Sequence, residues 1–216
     1  VAVGYDAGKS VTTGNLNTLI GSLAGDAITE AHSNVAVGYQ ALSTNVDGDG
    51  NTAVGYSALF ALEPANGLSY NTGVGYNSGV NMTTGVRNTL LGSDSGKSLT
   101  TASYNVAVGY EALSSEDTGN QNVAVGYRAL KDLNAGANAN NVAVGYLAGE
   151  NVTSGTHNTL IGSLAGDALN SGGGNVAIGT EALSAEDGHG RNVAIGVSAL
   201  KVQDAGANAY NIAIGY

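Results

Sequence analysis

Asn34-Val35-Ala36-Val37-Gly38-Tyr39-Gln40-Ala41-Leu42 is one copy of a segment that recurs along the whole chain. Its core reads N-[VTI]-[ALG]-[VIL]-G, usually followed by Tyr. The glycine of this core falls at Gly4, Gly21, Gly38, Gly55, Gly75, Gly92, Gly109, Gly126, Gly145, Gly162, Gly179, Gly196 and Gly215. The steps between these marker glycines are 17, 17, 17, 20, 17, 17, 17, 19, 17, 17, 17 and 19 residues. A fixed period of this kind marks a repeat architecture, in which each copy is one unit that buries its apolar side only by stacking on its neighbours. Seventeen residues are too few for a helix pair and suit a single β rung.

A slower rhythm lies over the short one. Gly4 to Gly75 spans 71 residues, and Gly75 to Gly145 and Gly145 to Gly215 span 70 each, so the rungs group in fours. The residue four beyond the marker repeats the grouping: Gly8, Gly25, Leu42, Leu59, then Gly79, Gly96, Leu113, Leu130, then Gly149, Gly166, Leu183, Leu200. The second rung of each group reads N-T-L-[IL]-G-S, as in Asn17 to Ser22 and Asn88 to Ser93. The expected organisation is a single continuous array over residues 1–216, with units near 1–70, 71–140 and 141–210 and the start of a fourth at 211. Val1 already lies inside a motif, so the chain is expected to be a window of a longer fibre.

Alternation within the core predicts a strand, with Val35 and Val37 on one face and Ala36 on the other. The third strand position is β-branched in every rung except at Leu91, which suits a buried strand face. The opposite face is mostly Ala, with Leu only at Leu19, Leu90 and Leu160, and its small side chains suggest a second chain packed close against it. A second strand is expected after the marker, through pairs such as Ala41-Leu42 and Ala112-Leu113. Asn17, Asn34, Asn51 and their equivalents are expected to form an amide ladder, and Gly21, Gly38 and Gly55 to form the corners. The fold class is therefore all-β: a parallel β-roll or β-solenoid of ~17-residue rungs in ~70-residue units, roughly 58 Å long at ~4.8 Å per rung. A thin Ala and Val core does not offset the cost of ordering the backbone, so a homotrimer is expected to supply the missing burial.

Composition narrows the function. Net charge is −10 with only seven Lys and Arg, which argues against nucleic acid, because phosphate backbones are bound by clustered cations. Cysteine is absent, which removes disulfides and thiolate metal sites, and no apolar stretch approaches the ~20 residues of a membrane helix. No membrane insertion is expected. Gly92-Ser93-Asp94-Ser95-Gly96-Lys97-Ser98 imitates a phosphate-binding loop but is one residue short, and Gly4 to Ser10 repeats its register, so the period explains it. His32, His157 and His189 sit at different turn offsets and form no metal cluster. Asp47-Gly48-Asp49-Gly50 lacks the bidentate Glu of a calcium loop, although weak ion binding along the acidic turns, including Glu116-Asp117 and Glu186-Asp187, stays open. No catalytic residues, metal site or cofactor are expected, and the chain is not expected to be an enzyme.

The N-V-A-V-G-Y-x-A-L and N-V-A-I-G-x-x-A-L segments resemble the head repeats of trimeric autotransporter adhesins. Their 17-residue spacing and Tyr are closer still to the arrays of phage and bacterial tail-fibre-like proteins. The resemblance covers the whole chain and implies a left-handed parallel β-roll in three chains. The adhesin heads have a shorter period, which leaves the placement of the strands open. The candidate surface-binding residues are Tyr5, Tyr39, Tyr56, Tyr76, Tyr110, Tyr127 and Tyr146, which share the position after the marker. Stacked rings can hold sugars, and they also stabilise a ladder by themselves. The longer fourth-rung turns at Phe60 to Tyr70, Lys131 to Asn140 and Lys201 to Tyr210 are expected to protrude as recognition loops.

The sequence thus reads as a structural segment of an extracellular, cell-surface or virion fibre that supports multivalent attachment to a glycan or protein receptor. The alternatives are an ice- or lattice-binding solenoid, which calls for a longer Thr ladder, and a plain spacer filament.

Overall fold

The computed structural model describes residues 1–64, 67–136, 138–185, 188–203 and 210–216. It divides into two compact units, Val1–Asn105 and Val106–Tyr216. The first holds β1 (Ala2–Val3), β2 (Thr18–Ile20), β3 (Val35–Val37), β4 (Thr52–Val54), β5 (Thr72–Val74) and β6 (Thr89–Leu91). The second holds β7 (Val106–Val108), β8 (Val123–Val125), β9 (Val142–Val144), β10 (Thr159–Ile161), β11 (Val176–Ile178), β12 (Val193–Ile195) and β13 (Ile212–Ile214). Within each unit the strands pair in parallel and in chain order. Val35, Ala36 and Val37 of β3 face Thr52, Ala53 and Val54 of β4, and Val123, Ala124 and Val125 of β8 face Val142, Ala143 and Val144 of β9. Each unit is a parallel β-solenoid with one short strand per rung.

The period sets the packing because identical corners stack. The side-chain Oδ1 of each core Asn accepts from the backbone N–H of the next: Asn34 to Asn17 at 2.9 Å, Asn51 to Asn34 at 2.8 Å, and Asn71 to Asn51 at 2.9 Å. Its Nδ2 donates into the turn that precedes the following Asn, to the carbonyls of Gly48 from Asn34 and Gly85 from Asn71, both at 2.8 Å. Asn34, Asn51 and Asn71 are fully buried, so these bonds answer polar groups that water cannot reach. At the other end of the strand the marker glycines stack backbone on backbone. Gly21 has φ +130°, and a Cβ there would lie 2.5 Å from the carbonyl oxygen of Gly38.

Two sequence expectations are corrected. The residues at the ends of β2 to β12 face outward and are partly exposed, as with Ile20, Val144 and Ile161 at 36% to 39%, while the middle residue is buried. Nor does a second strand follow the marker. That segment turns with positive φ at every second residue, as at Gly38, Gln40 and Leu42, while its backbone still bonds from rung to rung. Leu23 N–H donates to Tyr5 O at 2.9 Å, and Gly25 N–H to Ala41 O at 2.9 Å.

The small strand residue is explained inside the chain itself. Leu42, Leu59, Leu113 and Leu130, four beyond the marker, point into the same interior as the strand Ala and are fully buried there. Where the strand carries Leu instead, the interior is relieved by glycine. A Cβ at Gly79 or Gly96 would stand 2.7 or 2.8 Å from the nearest Cδ of Leu90, and one at Gly149 or Gly166 would stand 2.7 Å from Leu160. One strand Leu thus fills the space over two glycine-bearing rungs, and this exchange of bulk is the physical content of the four-rung group. Leu42 and Leu59 adopt φ +52° and +50°. That left-handed strain costs about 1–2 kcal/mol, offset by the roughly 1.5–3 kcal/mol from burying the side chain. A further column seven beyond the marker, including Ile28, Leu62, Met82, Leu99, Leu133 and Leu169, completes an interior that the chain fills without a partner.

Candidate functional surface

The position after the marker leaves the corner on the outside, and there the tyrosines stack. Tyr39, Tyr56 and Tyr76 form one triplet with ring centroids 5.2 and 5.3 Å apart. Tyr110, Tyr127 and Tyr146 form a second, at 5.5 and 5.4 Å, with interplanar angles of 16° and 14°. All six rings stay 41% to 55% exposed. Stacking has a consequence that the sequence pattern hides: the middle ring of each triplet has another ring against each of its two faces. Tyr5 stands outside the first triplet because Ser22 occupies the rung between it and Tyr39.

Charged side chains brace the second triplet. Arg128 lies over the Tyr127 ring at 5.3 Å, and its guanidinium reaches the Glu111 carboxylate at 2.7 Å and Glu150 at 3.6 Å. Burial pushes the Glu111 carboxyl upward, but hydrogen bonds from Arg128 and Tyr110 outweigh it and hold the group below its ordinary range. A second set of aromatic and Arg side chains sits just before the core Asn of several rungs. Arg87 lies over Tyr104 at 5.6 Å and donates to its hydroxyl at 2.7 Å, and Arg191 pairs with Tyr210 in the same way. The sequence reading passed over this set, although Tyr70, Arg87, Tyr104, Arg191 and Tyr210 all sit one residue before a core Asn.

The acidic turns are put to internal use where they are described. Glu116 is fully buried, and its carboxylate accepts from the N–H groups of Gly119 at 2.7 Å, Asp117 at 3.1 Å and Ala135 at 3.2 Å. Asn45, at the equivalent position, closes its own turn by pairing with Gly48. Both occupy the apolar column seven beyond the marker, a register that marks them as interior in the sequence itself. Glu186 and Asp187 lie outside the described residues, as do parts of the fourth-rung turns; within those turns Leu62 and Leu133 point inward and are fully buried. Among the described residues no group of three His, Cys, Asp or Glu side chains could hold a metal ion, and no helix is long and apolar enough to cross a membrane. The Gly92 to Ser98 segment is a turn rather than a strand-to-helix junction. His32 serves the turns: its Nδ1 accepts from Asn15 N–H at 3.1 Å, and its own N–H donates to Asp49.

Among the described carboxyls, Asp167 is the one that its surroundings disfavour. Burial raises its pKa, the charges of Glu150 and Glu181 add to the rise, and its Oδ1 is buried with no partner among the described residues. An Asp whose folded pKa is raised binds its proton more tightly folded than unfolded. The folded state therefore loses stability as pH rises from the unfolded value of about 4 through the folded one. Asp167→Asn is expected to raise stability at pH 7 by about 0.5 kcal/mol, with the difference vanishing at about pH 3. Thermal melts of the two proteins at both pH values check it.

Comparison with family models, with curated proteins and with solved structures found no match to this chain.

Proposed function

We propose that the chain is a structural segment of an extracellular or virion fibre, assembled as a homotrimer, that supports multivalent attachment to a surface. The observation that carries the reading is the outward repetition: two triplets of exposed tyrosines, one in each unit and 71, 71 and 70 residues apart in sequence pair by pair (Tyr39 to Tyr110, Tyr56 to Tyr127, Tyr76 to Tyr146), present the same chemistry twice. A weak contact repeated along a stiff scaffold becomes tight when several copies engage together. The outward strand residues support assembly, since a row of partly exposed Val, Ile and Leu continues from strand to strand in each unit and contiguous apolar patches of this kind favour association. The interior described above needs no partner, so association would cover this outer face rather than complete the core. The test is binding of the chain to whole cells and to immobilised glycans, as purified and after dilution to monomer. Attachment that weakens at least tenfold on dissociation supports the reading, and absence of attachment to any surface overturns it in favour of a spacer.

One observation favours a lattice-binding reading. Thr52, Thr72 and Thr89 stand in register on the outward side of successive strands. The run ends after three rungs, with Val35 before it, which is short for a face that must match a crystal lattice. Thermal hysteresis of the chain in ice would decide for it.

A further inference from the structure

In sequence the aromatic column is interrupted by a single serine twice, by Ser22 between Tyr5 and Tyr39 and by Ser93 between Tyr76 and Tyr110, and the first interruption lies wholly within one unit. Leu23 N–H donates to Tyr5 O at 2.9 Å and Gln40 N–H to Ser22 O at 3.0 Å, so Tyr5, Ser22 and Tyr39 occupy one position on three successive rungs. Where the column is filled, neighbouring rings stand 5.2 to 5.5 Å apart. Two rungs therefore separate Tyr5 from Tyr39 by about 10 Å, which is the thickness of one ring sandwiched between two others. The outer face of Tyr39 is covered by Tyr56, but its face toward Ser22 has no aromatic neighbour among the described residues. The Ser22 hydroxyl takes no hydrogen-bond partner among the described residues, and the next position along the chain carries Gln40 and Asp6, whose carboxylate accepts from Lys9 Nζ at 3.2 Å.

The geometry points to a binding slot in which a single pyranose ring of a neutral, β-gluco-configured glycan enters between Tyr5 and Tyr39 above Ser22. An aromatic face carries negative potential and attracts C–H groups. In an all-equatorial β-glucopyranose both ring faces present axial C–H groups, so such a sugar can meet two tyrosines at once while its equatorial hydroxyls reach Asp6, Ser22 and Gln40 at the rim. A galacto-configured ring places an axial hydroxyl against one of the two faces. The net charge of −10 favours a neutral sugar over an acidic one. The slot rests on the attachment reading and names the chemistry of the ligand for it.

The test titrates the full chain with cellotetraose, and with methyl β-galactoside for comparison, following the tyrosine ring signals by NMR. Cellotetraose is expected to shift Tyr5 and Tyr39, and the galactoside to bind about tenfold more weakly. Ser22→Tyr completes the stack with a residue the same column already carries at Tyr39 and Tyr56, and is expected to weaken cellotetraose binding by about tenfold or more. Tyr5→Ala gives the same loss by removing one wall and stands in should the first variant fail to fold. Undiminished cellotetraose-induced shifts of the Tyr5 and Tyr39 signals in Ser22→Tyr, or unmoved Tyr5 and Tyr39 signals in the parent, overturn the slot. Cell attachment that persists while cellotetraose does not bind removes the slot and leaves the attachment reading. Cellotetraose binding without attachment to any surface does the reverse.

Discussion

Gly21→Ala is expected to unfold the rungs around it, lowering stability by about 3 kcal/mol or more, a large share of the 5–15 kcal/mol that holds an ordinary domain. Two costs add. The residue sits at φ +130°, where an L side chain is strained, and the new Cβ would lie 2.5 Å from the Gly38 carbonyl oxygen and 2.7 Å from its carbon. A clash with a flexible side chain relaxes by rotation, whereas this one is with backbone already fixed by the ladder. Gly21 N–H donates to Val3 O at 2.8 Å and Gly38 N–H to Ile20 O at 2.8 Å, so moving either glycine breaks a rung-to-rung bond. Gly136→Ala is the control, because Gly136 shares a positive φ of +64° but has nothing among the described residues within 4 Å of the added carbon. It is expected to cost about 1 kcal/mol, the strain alone. Urea unfolding of both variants, with amide hydrogen exchange to show where protection is lost, separates the two. An equal shift for Gly21→Ala and Gly136→Ala contradicts the stacked-backbone account.

Asn71→Ala is expected to cost about 3 kcal/mol, because it leaves two buried backbone groups unpaired. Asn71 Oδ1 accepts from Asn88 N–H at 2.9 Å and its Nδ2 donates to Gly85 O at 2.8 Å, in a site with no solvent exposure. Asn71→Asp is the more telling change. The carboxylate still accepts from Asn88 but sets a second oxygen against the Gly85 carbonyl, and only its protonated form can donate there. Its folded pKa is therefore raised above the unfolded value of about 4, and stability is lost as pH rises through the interval between them. Asn71→Asp is expected to be nearly as unstable as Asn71→Ala at pH 7 and to recover part of the loss at about pH 4, where Asn71→Ala does not. Parallel pH profiles for the two variants count against the bridging role of the amide.

The rung, its strand and the parallel class were legible in the sequence because a spacing of 17 residues and the alternation of Val35, Ala36 and Val37 leave few other arrangements. The direction of the strand faces was not. Alternation says which residues share a side and is silent on which side is inside. Bulk pointed to the β-branched face, whereas the interior is closed by Leu42 and its equivalents, which lie beyond the marker in a segment that looked like a second strand. The alternation of Gly and Leu at that position was visible, yet its cause needed the distance from Leu90 to Gly79 and Gly96. At the surface, the tyrosine column was legible as a column, but not the covering of its inner faces. That stacking moves attention from the repeated Tyr to the rungs where a serine, Ser22 or Ser93, interrupts them. Glu116 and Asn45 could have been found by extending the register seven residues past the marker, where apolar residues otherwise prevail.

The measurement that tests the proposed fibre assembly most directly is the mass of the chain in solution by sedimentation equilibrium across a range of concentrations. The outward rows of Val, Ile and Leu predict a species near three times 21.3 kDa that persists on dilution. A single species of 21.3 kDa at every concentration would contradict the assembly and leave a solenoid that stands alone.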